Sequence, residues 1–168
     1  NAALDAIKAR NGYGGYHLIG QSGGATLAGA LIGIRDDVGC AVLGSGMLAP
    51  LQLKKSTLQL SKQMIDATEA IPGMLQNRKL RVLVVTDRED KKVSLVHQAT
   101  FVDELRAAGG RPEHFFVEAA DANRHGVVPH ARLALTGCLR GADEAAIAER
   151  LSKLVPVKAQ ATRVPLDD

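Results

Sequence analysis

Aromatic side chains are scarce, with two tyrosines, three phenylalanines and no tryptophan in 168 residues. No series of stacking rings therefore alternates with basic residues, as a single-stranded nucleic-acid site would need. The 21 Lys+Arg outnumber the 18 Asp+Glu only slightly and the two signs are mixed along the chain. A nucleic-acid partner is not expected, in spite of a pI near 9.0. Long apolar runs are also missing. The uncharged stretch from Gly20 to Ile34 is rich in glycine and shorter than the roughly 18 to 20 residues of a spanning helix, so no membrane span is expected. Only two cysteines occur, Cys40 and Cys138, in no metal-ligand spacing; they are expected to be buried free thiols, which leaves the redox compartment open. Asn1 to Arg10 lacks the basic, apolar and small-residue order of an export signal. The location stays unknown, because any signal would precede Asn1.

What is present suits a packed domain: 46% hydrophobic residues, 17 glycines and 6 prolines. Read by period, Ala2 to Arg10 forms a helix that the glycines of Asn11 to Gly15 end. A short strand at Tyr16 to Ile19 leads into Gly20-Gln21-Ser22-Gly23-Gly24, and Ala25 to Gly33 reads as a small-residue helix. Cys40 to Leu43 is a second strand closed by Gly44-Ser45-Gly46. Residues 51 to 67 read as an amphipathic helix, and Pro72-Gly73 breaks the chain. The apolar β-branched run Leu80 to Val85 predicts a central parallel strand covered on both faces. After it come a helix from Val93 to Ala108, a strand from His114 to Glu118, a helix with Pro129 near its first turn, and a last helix from about Ala142 to Leu154. Strands alternating with helices predict a parallel α/β sheet with helices on both sides.

The sharpest signal is Gly20-Gln21-Ser22-Gly23-Gly24, a G-x-S-x-G sequence between a strand and a helix. On so tight a turn the serine hydroxyl projects above the sheet, and the flanking glycines avoid clashes that larger side chains would make. The adjoining helix N-terminus favours negative charge. Ser22 is thus the candidate nucleophile and the Gly23 N–H a candidate oxyanion donor. Serine needs a base. Of five histidines, His17, His97 and His114 lie on strands or a helix face, whereas His125 lies in the polar loop Asp121 to Gly126 after the last strand. Open α/β sheets bind ligands at that edge. His130 is the alternative base. A third group, a carboxylate that orients the imidazole, has three candidates just after a strand: Asp87, Glu89 and Asp90.

With Ser22, these carboxylates and His125 in that order along the chain, the sequence resembles the α/β-hydrolase superfamily, whose triad runs Ser, Asp or Glu, His. The resemblance extends from Ala2 to about Leu139. In that family the acid commonly follows its strand in a Gly-x-x-Asp-x-x-Val pattern. Here Asp87-Arg88-Glu89-Asp90-Lys91-Lys92-Val93 keeps the Asp and Val but has Asp87 in place of the glycine. The resemblance implies Asp90 as the acid, with Asp87 as runner-up, and Gly20, Gln21 and Gly24 as the rest of the nucleophile elbow. It implies an α/β-hydrolase-type parallel sheet sandwiched by helices but without the strands that in the family precede the serine. Residues 1–155 would form the C-terminal part of the catalytic domain, 47–79 a possible cap or pocket-lining segment containing Met47, Met64 and Met74, and 156–168 an extended tail.

A carboxylic-ester hydrolase working through an acyl-enzyme, without metal or organic cofactor, is the function so implied. The prolyl-oligopeptidase-like serine peptidases are similar too, but usually carry an aromatic after the serine, where this chain has Gly23. The expected partners are a small ester or peptide substrate and the N-terminal half of the same hydrolase, supplying the second oxyanion donor. A non-catalytic module with this fold is a further reading. A phosphate or dinucleotide site is a poorer one, since Ser22 stands where that fingerprint has glycine and Gly44-Ser45-Gly46 replaces its acid.

Overall fold

The computed structural model describes residues 1–52 and 65–154. Both strongly apolar runs become strands, β2 (Val38–Gly44) and β3 (Arg81–Asp87), flanked by β1 (Tyr16–Gln21) and β4 (Glu113–Val117). All pairings are parallel and the order is β1-β2-β3-β4. Crossovers join β1 to β2, β2 to β3 and β3 to β4, so consecutive strands lie side by side.

Period-two alternation divides the side chains of the inner strands between two cores. Val38, Ala41 and Leu43 of β2, with Val82 and Val84 of β3, face a core completed by α2 (Gly23–Ile32), the short α3 (Ile71–Met74) and α4 (Leu95–Ala107). The complementary set, Cys40, Val42, Leu83 and Val85, joins Phe115 of β4 in a second core beneath α5 (Val128–Leu139) and α6 (Glu144–Ser152). Val82 to Val85 are all buried, as the expected central strand requires. Val38 stays in phase with Ala41 because the β1–β2 register shifts between Tyr16 and Leu18. The N-terminal helix α1 (Ala2–Asn11) has no buried residue and ends at Gly12 with φ 67°. Polar contacts hold it: Lys8 Nζ lies 2.7 Å from Asp37, and the buried Arg35 bonds Asp37, Asp5 and Asn1.

Two expectations change. Cys40 and Cys138 are not free thiols but a disulfide between β2 and α5, with Cα atoms 6.3 Å apart. Their sequence separation of 98 gave no spacing to read; it is the packing of α5 across β2 that brings them together. Pro72 does not break the chain but lies in the first turn of α3, following a 3₁₀ turn at Ala67–Ala70, where a missing N–H costs nothing. Met74 is buried in the first core and also lines a cavity of about 310 Å³ with Leu75, Leu80 and Leu105. Most of the expected helix over 51 to 67, including Met64, and the tail from 155 lie outside the described residues. Among the described residues no helix is long and apolar enough to cross a membrane.

Candidate active site

The serine turn follows from how β1 meets α2. Ser22 N–H donates to the Gly44 carbonyl at 2.8 Å, extending the ladder with β2 by one residue, and the chain then reverses into α2 with Ser22 at φ 56°, ψ −124°. Such a positive φ is uncommon for a residue with a side chain. The Ser22 hydroxyl does not cap the helix, so it is not committed to the backbone as an N-cap serine ordinarily is. The Gly23 N–H opens α2 and lacks an intrahelical carbonyl to bond. The two flanking glycines differ. A Cβ on Gly20 would come within 2.2 Å of the Gly24 carbonyl oxygen, whereas one on Gly24 or Gly23 would meet nothing within 4 Å. Only Gly20 is required by close approach; the expectation that the glycines on both sides avoid a clash is corrected for Gly24.

The acid and the histidine come from loops that follow β3 and β4. Asp90 Oδ1 accepts the N–H groups of Lys92 and Val93 at 2.8 and 3.0 Å, which fixes its carboxylate and turns Oδ2 toward His125 Nδ1 at 2.8 Å. The Asp90 side chain is 1% exposed and that of His125 16%. An imidazole held in this way is restricted in ring orientation and keeps its Nδ1 proton toward the carboxylate. Asp87 is placed differently. It is fully buried at the end of β3 and accepts from Glu89 N, Ala119 N and, with both oxygens, the Arg124 guanidinium. Burial pushes its carboxyl up, but Arg124 and the two backbone N–H groups outweigh that and leave it below the usual carboxylate range. Glu89 is exposed and lies 3.6 Å from Arg124.

The serine turn and the histidine loop converge on Gly44. A Cβ there would lie 2.8 Å from Val127 Cγ2 and 3.3 Å from the Gly20 carbonyl. Val127 N–H in turn donates to the His125 carbonyl at 3.0 Å. The hydrogen bond from Ser22 Oγ to the imidazole is not formed in this structure.

Two of the other histidines are otherwise engaged. His17 Nδ1 accepts the Cys40 N–H at 3.0 Å, and His114 Nε2 lies 3.0 Å from Thr86 Oγ1. Burial, followed by nearby Arg106, lowers the His114 pKa to about 4. His130 is buried in α5 with Nδ1 unpartnered, and burial lowers its pKa although Asp87 works in the opposite sense. A cavity of about 470 Å³ beside β4 is lined by Asp87, Arg124, His130 and Leu151, and not by Ser22, Asp90 or His125.

Sequence reasoning overlooked what shapes the histidine loop. Asp121 accepts from Asn123 N, His125 N and Gly126 N. The Gly126 bond, set against burial, brings its carboxyl below the ordinary range. An aspartate a few residues ahead of a polar loop was a legible turn signal. Arg124 had none of its own, although the departure from glycine at Asp87 pointed to a partner for that carboxylate.

No family model matches the chain, and no curated protein does. Among solved structures it is similar to the crystal structure of a protein from Klebsiella pneumoniae subsp. pneumoniae provisionally assigned as a dienelactone hydrolase. The two share 18% identity at a TM-score of 0.57, over 90% of this chain and 56% of that one. The fold is accordingly of the α/β-hydrolase type, a four-stranded parallel sheet flanked by helices. This chain spans little more than half the length of that structure.

Proposed function

We propose that this chain carries the nucleophile, base and acid of a serine hydrolase that cleaves a carboxylic ester or a related acyl bond. The observation that carries the reading is the 2.8 Å contact between Asp90 Oδ2 and His125 Nδ1, on the sheet edge where Ser22 stands in its tight turn. In the reaction so proposed Ser22 Oγ attacks the carbonyl carbon while its proton passes to His125 Nε2, and Asp90 stabilises the imidazolium. The oxyanion accepts the Gly23 N–H. As the tetrahedral intermediate collapses, His125 returns the proton to the leaving alkoxide. A water, deprotonated by His125, then hydrolyses the acyl-serine and regenerates Ser22. Gly23 after the serine, where the similar peptidases usually have an aromatic, favours esters over peptides.

The second oxyanion donor comes, in this reading, from polypeptide that pairs with β1 and represents the N-terminal half of the hydrolase. Two observations support it: β1 pairs only with β2 in the described sheet, and Ile19 on β1 is 42% exposed. An unpaired strand edge with apolar side chains is a template for another strand. A homogeneous 168-residue monomer in sedimentation that turns over an ester unaided would refute this partner.

The test of the activity is intact mass spectrometry before and after an organophosphorus serine probe. A single adduct mapping to Ser22, absent in Ser22→Ala, is expected. Folded protein without an adduct, even with its partner chain, would favour a non-catalytic module.

A further inference from the structure

Consecutive residues of the histidine loop dock on the acid loop at two points. His125 meets Asp90, and Arg124 meets Asp87, three residues earlier, through Nε–Oδ2 at 2.7 Å and Nη2–Oδ1 at 3.2 Å. Arg124 achieves this from φ 56°, a left-handed conformation that is unfavourable for a residue with a side chain. Such a conformation is tolerated only where surrounding contacts enforce it. Three hydrogen bonds enforce it: Arg124 N–H donates to the Asp121 carbonyl, Lys91 N–H to the Asn123 carbonyl, and Lys91 Nζ to the Ala122 carbonyl. Asp87 itself is buried on a rigid central strand and also binds Ala119 N, so it anchors the start of the β4–α5 connection as well. A planar guanidinium that meets both carboxylate oxygens fixes orientation as well as distance, which a point charge does not.

We infer that Arg124, docked on Asp87, is a positioning residue that sets the place of the His125 imidazole against Asp90. The inference deepens the hydrolase reading and rests on it for its kinetic consequence, but not for its structural one. Arg124 touches no reacting atom. It acts through the backbone it shares with His125, and Asp87 serves as the fixed point rather than as the relay acid.

The experiment is proton NMR of the intact protein, following the downfield His125 Nδ1–H resonance, assigned by its disappearance in His125→Gln and its displacement in Asp90→Asn. In Arg124→Ala the resonance should be lost or exchange at least about tenfold faster, while kcat on an ester falls by about 100-fold with KM little changed, as for a catalytic group misplaced by about an ångström. Arg124→Lys, which keeps a charge near Asp87 but not the two-pronged geometry, should fall between wild type and Arg124→Ala on both measures. An unchanged resonance in either variant, folded by circular dichroism, would overturn the inference. So would loss of the fold in both, which would make the pair a general support of the molecule. A resonance that responds in a protein without esterase activity or probe adduct would uphold the positioning role and refute the hydrolase reading.

Discussion

Gly20 and Gly24 flank the same serine under different constraints. At Gly20 a methyl group meets backbone that cannot give way, so Gly20→Ala should cost about 2 to 3 kcal/mol. Gly24 is inside α2 with open space around it, and Gly24→Ala should be neutral or stabilising by up to about 1 kcal/mol. Urea unfolding of the two variants checks this pair. The two aspartates after β3 separate in the same way. Asp90→Asn should lower ester turnover by about 10⁴-fold with the fold kept, because the wrong imidazole tautomer would be held. Asp87→Asn should lower stability, since it leaves Arg124 facing a neutral partner, and by loosening Arg124 should lower turnover by up to about 100-fold, less than Asp90→Asn; kcat beside unfolding midpoints distinguishes the two. If Asp87→Asn costs more turnover than Asp90→Asn in folded protein, the acid is Asp87.

At the level of elements, the strands and most helices were legible because their patterns are local. The four residues Val82 to Val85 are apolar without interruption, and a strand between two cores is the place for them. Ser94 and Asp143 accept from the first N–H groups of α4 and α6, which sets those helix starts within a residue or two of the periodic reading. The Cys40–Cys138 bond was not legible. Once formed it closes a loop spanning a sequence separation of 98, for which chain entropy gives about 4 to 5 kcal/mol. Reduction, or the Cys40→Ala/Cys138→Ala double variant, should lower stability by about 2 to 4 kcal/mol in urea unfolding, and the thiols should resist alkylation before reduction. Because α5 begins directly after the histidine loop, the reduced protein is also expected to lose ester turnover before it unfolds globally.

For the molecule as a whole, the charge pattern sets an acid limit. Arg35 and then Lys8 hold the Asp37 carboxyl well below its ordinary range, although burial opposes them. The stability this supplies is present above about pH 4 and is lost as pH falls through and below that value, where the unfolded chain takes up the proton first. His114 adds an earlier slope. Its folded pKa of about 4 lies below the unfolded value of about 6.5, so the unfolded chain binds the extra proton between these limits and stability declines as pH falls across them. Urea midpoints from pH 8 to 3 should show both slopes, with His114→Gln removing the upper one and Asp37→Asn flattening the lower.

The amino-acid sequence by itself determined the alternation of strands and helices, the serine turn and the polar loop that carries His125, since each depends on neighbours within a few residues. Tertiary structure decided which carboxylate meets which base. Asp87 ends β3 and Asp90 lies three residues on in the loop after it; the family pattern favoured Asp90, but only the packing of the β4–α5 connection against the end of β3 gives Arg124 to the first and His125 to the second. It likewise decided that two distant cysteines bond. Pairings of this kind form across folded elements, and short-range patterns along a chain do not encode the distances between its faces.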